Sequence, residues 1–149
     1  MRFVHASSRN WKLVLVAMLA LLAVVAFWPS PIDQPVAGAL EDILLFLHRH
    51  GIPRWFNYRF IEASANVVLF VPLGILSVLA FPGKHWWQIA AFGLLISGCM
   101  ELGQLLFLQD RYASPIDLIT NASGAVLGAL LATWRLGKLK VGRVSAADL

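Results

Sequence analysis

Charge and cysteine are what this sequence has least of. Charged residues make up 13% of its 149 residues, and apolar residues make up 59%. A soluble domain carries about twice that share of charge, so the composition excludes a compact soluble domain and predicts an integral membrane protein. The one cysteine, Cys99, excludes an internal disulfide.

Metal and nucleic-acid sites are not expected either. The histidines, the cysteine and the carboxylates show no zinc-ligand spacing, and we expect neither a metal nor another cofactor. The net charge of +4 would suggest nucleic acid in a soluble protein. In a membrane protein we interpret the basic residues as topological anchors, and we expect no nucleic-acid partner.

Four apolar segments are long enough to cross a membrane, since about 20 helical residues span its hydrocarbon core. The predicted spans cover about residues 13–28, 63–81, 86–108 and 116–134. They form one transmembrane domain over 13–136, between a basic N-terminus over 1–12 and a basic tail over 137–149. The first span resembles a secretory signal, but no suitable small-residue site follows it closely, so we expect it to stay uncleaved.

Tryptophan and the basic residues both mark the edges of these spans. Five of the six tryptophans lie at span ends, where the side chain prefers the membrane interface: Trp11, Trp28, Trp86, Trp87 and Trp134. Eight of the twelve Lys and Arg residues lie on the side of the two termini, and four lie on the other side. Because basic residues accumulate in cytoplasmic loops, we expect both termini in the cytoplasm.

The connection between the first two spans contains about 34 residues, too many for a simple turn. Its apolar residues share one helical face: Val36, Leu40, Ile43, Leu44 and Leu47. The pattern predicts an amphipathic helix over about residues 35–50. Such a helix is too short to span and is expected to lie in the outer interface, as a packed connector or as a gate.

Polar side chains inside the spans collect at one depth. At 1.5 Å per residue, Glu101 lies about 22 Å along the third span, and Gln104 lies one turn further out. Asp117 and Asn121 lie in the first turns of the fourth span, and Asn66 lies near the start of the second. Polar groups within spans are costly and call for a partner or a function. Three helices therefore predict a shared polar site on the outer side.

Two further charged residues lie close to this depth. Arg111, between the third and fourth spans, is the nearest cation and could pair with Glu101 or Asp117. Glu62, one turn before Asn66, could join the rim. Glu101 has no local structural explanation, so we expect it to be functional, with a purely structural pair to Arg111 or a protonated carboxyl group as the alternatives.

Structural roles are open for several of the other polar residues. Ser114, Pro115 and Asp117 match an N-cap, a proline in the first turn and an acidic third position of a helix. Asn66 and Asn121 are typical of hydrogen bonds between membrane helices. These roles compete with ligand binding at the same positions.

Small residues on the fourth span predict a close helix contact. Gly124 and Gly128 are four residues apart, with Ala125 and Ala129 beside them. Such a face lets another helix approach closely, and a homo-oligomer could form through it.

The polar residues also lie in ordered motifs. These are Asn66-x2-Leu69-Phe70-x-Pro72-Leu73-Gly74, Ser97-x3-Glu101-x2-Gln104 and Arg111-x5-Asp117-x3-Asn121-x2-Gly124-x3-Gly128. Over roughly residues 62 to 134 the set resembles the signature of the VanZ-like family. The resemblance implies a small multi-helix protein of a bacterial plasma membrane, in a family whose founding member is associated with resistance to teicoplanin. It also assigns the family's polar positions to Asn66, Glu101, Gln104, Arg111, Asp117 and Asn121.

These observations predict an all-α integral membrane protein with four transmembrane helices and one interfacial helix. We expect a non-enzymatic cell-envelope protein that contacts membrane lipids and binds a lipoglycopeptide or a lipid-linked wall component at the outward polar site. Two alternatives remain open. One is an intramembrane enzyme that acts on a lipid-linked substrate, with Glu101 as general base and Arg111 as anion clamp. The other is a small transporter or channel subunit.

Overall fold

The computed structural model describes residues 2–28, 34–108 and 114–147, and the side chains of 8–28, 35–108 and 114–137 among them. These residues form helices and no strand, which confirms the all-α prediction. The helices are α1 (Arg2–Ala26), α2 (Ala37–Arg49), α3 (Tyr58–Ala80), α4 (Trp86–Phe107) and α5 (Pro115–Ala147). A short 3₁₀ turn, Gln34–Val36, precedes α2.

Four of the helices are long and apolar enough to cross a membrane. The qualifying stretches are Ser8–Ala26, Tyr58–Ala80, Trp86–Phe107 and Pro115–Gly137, which confirms the four predicted spans. Large apolar side chains such as Val68, Leu95 and Phe107 are exposed on the outside of the bundle. A surface of this kind suits lipid, where a helix satisfies its own backbone hydrogen bonds. The protein is a multi-pass membrane protein.

The first and last helices are longer than the predicted spans. α1 already begins at Arg2, and α5 continues to Ala147, so the described parts of both predicted terminal segments extend a helix. Hydropathy marks only the membrane-length part of a helix, because polar residues continue the same backbone hydrogen bonds beyond the hydrocarbon. Which side of the membrane these extensions occupy stays a prediction.

α2 confirms the predicted amphipathic helix between the first two spans. It has 13 residues, and a turn with Gly51 at φ +94°, a left-handed conformation that favours glycine, follows it. Leu44 on the predicted apolar face is buried, whereas Ile43 on the same face is exposed. Its position in the membrane interface stays a prediction.

α3 is the central helix and contacts α1, α4 and α5. The closest contact is with α5. A Cβ atom on Gly124 or Gly128 would overlap the carbonyl oxygens of Val67 and Val71, and one on Gly74 would overlap that of Ala125. Glycine therefore lets the two backbones meet, as membrane helix pairs often do.

This packing confirms the close contact predicted for Gly124 and Gly128. The helix that approaches them is α3 of the same chain. Self-association of the protein through this face stays a prediction.

Candidate functional site

The predicted polar residues meet at one end of the bundle, where α1 and α4 end and α3 and α5 begin. A cavity of about 130 Å³ lies between the four helices. Five predicted site residues line it: Asn66, Glu101, Gln104, Asp117 and Asn121. The sixth, Arg111, lies outside the described residues. The predicted convergence is confirmed for these five, and their role in ligand binding stays a prediction.

The cavity also has an apolar wall. Leu22, Val25 and Ala26 of α1 line it opposite the polar groups, together with Phe70 of α3 and Met100 of α4. Leu22 and Phe70 are fully buried. One small space is therefore bounded by carboxylate and amide groups and by hydrocarbon.

Asn66 and Asp117 connect α3 to α5. The Asn66 Nδ2 donates to Asp117 Oδ1 over 2.9 Å. The predicted start of α5 is also present, since the helix begins at Pro115 and Ser114 Oγ accepts from the Asp117 backbone N–H at 3.4 Å. Asp117 thus has the expected place in the first turn, while its carboxylate reaches across to α3.

Glu101 is buried and connects α4 to the start of α5. Its Oε2 accepts the backbone N–H of Ser114 over 2.8 Å. Residues before a helix have donors without an intrahelical partner, and a carboxylate there also faces the positive end of the helix dipole. Sequence reasoning missed this structural partner of Glu101, because it comes from the backbone.

Gln104 holds the end of α1. Its Nε2 donates to the carbonyl oxygen of Ala26 over 2.8 Å, one of the terminal carbonyls that lack an intrahelical donor. One residue earlier, Gly103 makes room for the side chain that directly follows α1, because a Cβ atom there would press into the ring of Phe27. The two contacts fix the apolar wall over the cavity.

Asn121 lies deepest among the polar residues and is more than nine-tenths buried. Its Nδ2 donates to Ser97 Oγ over 2.8 Å, and this bond connects α5 to α4. Its Oδ1 is buried and has no hydrogen-bond partner among the residues that the structure describes. A buried acceptor without a donor is costly and calls for an explanation.

The charged side chains among the described lining residues of the cavity are acidic. Glu62 lines it together with Glu101 and Asp117, and no Lys, Arg or His side chain is among the described lining residues. A second pocket of about 240 Å³ adjoins it and is lined by Arg59, Glu62, Ser114 and Asp117, among others. The described residues contain no group of three or more His, Cys, Asp or Glu that could hold a metal ion.

Among known protein families, the one described as VanZ/LLP1 matches residues 13–136 of this chain. The chain belongs to the VanZ/LLP1 family. The resemblance carried by the polar motifs is thereby confirmed. No curated protein and no solved structure matches the chain. Every described lining residue of the cavity falls inside the VanZ/LLP1 match.

Some residues around the VanZ/LLP1 cavity were not predicted as part of the site. Arg59 precedes Glu62 by one helical turn, a spacing that places both on one face of α3 and could have indicated it. Ser97 precedes Glu101 by one turn in the same way. Leu22 and Val25 of α1 carry no comparable signal, since an apolar residue in a span looks alike whether it faces lipid or a cavity.

Proposed function

We propose that this VanZ/LLP1 protein is a cell-envelope protein of a bacterial plasma membrane that binds an amphiphile of the outer leaflet in the cavity. The amphiphile is a lipoglycopeptide or a lipid-linked wall component. The observation that carries the proposal is the lining of the cavity, where three carboxylates face an apolar wall from α1. Charged groups within membrane-spanning helices are rare and mark functional sites by default, so three carboxylates around one space beside an apolar wall support a ligand site.

The size of the cavity limits what enters it. A protein cavity of about 150 Å³ holds one benzene molecule, so a cavity of about 130 Å³ takes a group of roughly six heavy atoms. The rest of an amphiphile must remain outside, and its acyl chain can lie against the exposed apolar surfaces of the helices. The bound part is a small polar group, while the hydrocarbon part supplies membrane partitioning.

A contribution to glycopeptide resistance is part of this proposal. The founding member of the VanZ-like family is associated with teicoplanin resistance. A protein that binds a lipid-tailed glycopeptide, or the lipid-linked component that it targets, would lower the amount of drug bound to the wall precursor. A glycopeptide without a lipid tail should be affected less.

Drug susceptibility tests the proposal. We would express the wild type, Glu101→Gln, Asp117→Asn and an empty vector in a sensitive Gram-positive host, and measure inhibitory concentrations of teicoplanin and vancomycin at equal membrane levels. Both variants remove charge and keep the oxygen that accepts from Ser114 or Asn66. Ser77→Ala is the matched control, because Ser77 is buried on α3 and bonds only Leu73 O there.

The wild type and Ser77→Ala are expected to raise the inhibitory concentration of teicoplanin more than that of vancomycin, and the two charge variants are expected to lose the effect. Equal protection by the wild type and all variants would show that the charges of Glu101 and Asp117 are not needed for protection. No protection by the wild type at equal abundance would overturn the resistance role.

A further inference from the structure

The unpartnered oxygen of Asn121 indicates what kind of group the cavity accepts. Asn121 lines the cavity and is more than nine-tenths buried, and its amide nitrogen donates to Ser97 Oγ. The Oδ1 atom is thereby left as an acceptor that no described donor reaches. A ligand group that fills this place must bring a donor of its own.

The carboxylates of the cavity add acceptor capacity beside this oxygen, because a carboxylate has about four lone-pair sites and accepts from a ligand in addition to its partners in the protein. Glu62, Glu101 and Asp117 contribute carboxylates, which only accept hydrogen bonds when ionised. Asp117 lies one turn from Asn121 on α5, and Glu101 lies one turn from Ser97 on α4. Along α5 the acceptors of Asn121 and Asp117 are therefore separated by a helical rise of about 6 Å.

A primary ammonium matches this set better than a hydroxyl group. An ammonium has three donors, no acceptor and a positive charge, whereas a hydroxyl has one donor and two acceptor lone pairs. Charge-assisted hydrogen bonds to carboxylates are about twice as strong as neutral ones. An aminoethyl group also fits a space for roughly six heavy atoms, while a hexose ring is about twice that size.

The adjoining pocket supplies a position for an anion. Arg59 lines that pocket with Glu62, Ser114 and Asp117, of which Glu62 and Asp117 also line the cavity. Arginine is well suited to bind phosphate, because its planar guanidinium offers a fork of donors. Acidic and basic groups thus lie in neighbouring spaces that share two residues.

We propose that the cavity and the adjoining pocket bind the head of a zwitterionic aminophospholipid, with the primary ammonium in the cavity and the phosphate beside Arg59. This inference rests on the part of the proposed function that places an amphiphile in the cavity, and it adds a ligand class to the two named there. The ammonium donates to Asn121 Oδ1 and to the carboxylates, and the acyl chains remain in the bilayer. The test must therefore vary the number of N–H donors while the charge stays constant.

A methylation series of one phospholipid makes that comparison. Phosphatidylethanolamine, its N-methyl and N,N-dimethyl forms and phosphatidylcholine carry the same charges, and their nitrogens have three, two, one and no N–H donors. We would offer the four lipids in an equimolar mixture with identical acyl chains to the purified full chain. Native mass spectrometry then measures how much of each lipid the protein retains.

Retention is expected to fall along the series, with phosphatidylethanolamine bound about tenfold better than phosphatidylcholine, because hydrogen bonds between charged groups are lost. Glu101→Gln and Asn121→Leu should reduce this preference, while Asn121→Asp should keep it because it retains an acceptor. Arg59→Gln should lower the retention of all four lipids alike. Ser77→Ala should leave both the retention and the preference unchanged. Free ethanolamine, added at the same concentration as the lipids, should not displace bound phospholipid from the protein.

The outcomes separate this inference from the proposed function. Equal retention of the four lipids would overturn the ammonium site and leave amphiphile binding standing. Displacement by free ethanolamine would overturn the phospholipid as the source of the amine. Retention of none of the lipids would overturn the inference outright, whereas a graded series without any drug protection would overturn only the resistance role.

Discussion

At the scale of single residues, the described polar side chains of the cavity also connect helices. Asn66 bonds to Asp117, Gln104 to the end of α1, and Asn121 to Ser97. In lipid these groups have no water to return to, so each bond favours the one arrangement of helices that forms it. The residues that would bind a ligand therefore also fix the shape of the cavity.

The bond between Asn66 and Asp117 is expected to contribute measurably to stability. A double-mutant cycle of Asn66→Ala, Asp117→Ala and the double variant should give a coupling energy of about 0.6–1.7 kcal/mol, the range measured for such bonds between membrane helices. Unfolding of the purified protein in mixed detergent micelles measures it. A coupling energy of zero would mean that the side chains do not interact in the membrane.

Glycine at position 128 is expected to be essential for the contact between α3 and α5. Gly128→Ala places a Cβ atom on the carbonyl oxygen of Val71, and the helices must separate. The free energy of unfolding should fall by about 1–3 kcal/mol, as in other overpacked cores. Gly137→Ala in the same helix is the matched control, since nothing lies within 4 Å of its Cβ. The free energy of unfolding of Gly137→Ala should equal or exceed that of the wild type, because alanine favours a helix. Equal destabilisation by Gly128→Ala and Gly137→Ala would contradict the close contact between α3 and α5.

At the scale of elements, hydropathy predicted the helices well and their ends less well. Apolar length alone located four spans, and periodicity located α2, because both signals depend on the membrane or on one buried face. The continuation of α1 from Arg2 and of α5 to Ala147 was not predicted. Outside the hydrocarbon neither apolar length nor periodicity marks where a helix stops.

α2 is expected to lie flat in the membrane interface with Ile43 toward the lipid. A spin label at Ile43→Cys should be accessible to oxygen, which concentrates in lipid, and one at Asp42→Cys should be accessible to a water-soluble nickel complex. Both residues are exposed, so burial in the protein does not separate them. The labels require a Cys99→Ser background, since Cys99 is exposed. Nickel accessibility at both positions would place α2 in water.

At the scale of the whole molecule, the location of the site was predictable and its hydrogen bonds were not. The regular rise of a helix converts sequence position into depth, and this was enough to bring Asn66, Glu101 and Asp117 to one level. Which side chains pair depends on the rotation of each helix about its axis, which the sequence does not specify. The orphaned oxygen of Asn121 and the bond from Gln104 to Ala26 emerged only from the packed structure.

Orientation in the membrane decides which leaflet supplies the ligand. With eight Lys and Arg residues on the side of the termini against four on the other, the cavity end of the bundle should face outward. In a Cys99→Ser background, Ile52→Cys, in the connection between α2 and α3, should react with a membrane-impermeant maleimide in intact cells. Pro82→Cys, in the turn between α3 and α4, should react only after permeabilisation. Both sites are exposed, so accessibility within the protein is matched.

The reverse labelling pattern would place the cavity at the cytoplasmic leaflet. Lipoglycopeptides added from outside could not reach it there, whereas a phospholipid head could reach it from either leaflet. The reverse pattern would therefore exclude the lipoglycopeptide and leave the phospholipid, because only the lipoglycopeptide depends on an outward opening, whereas the expected pattern agrees with both ligands.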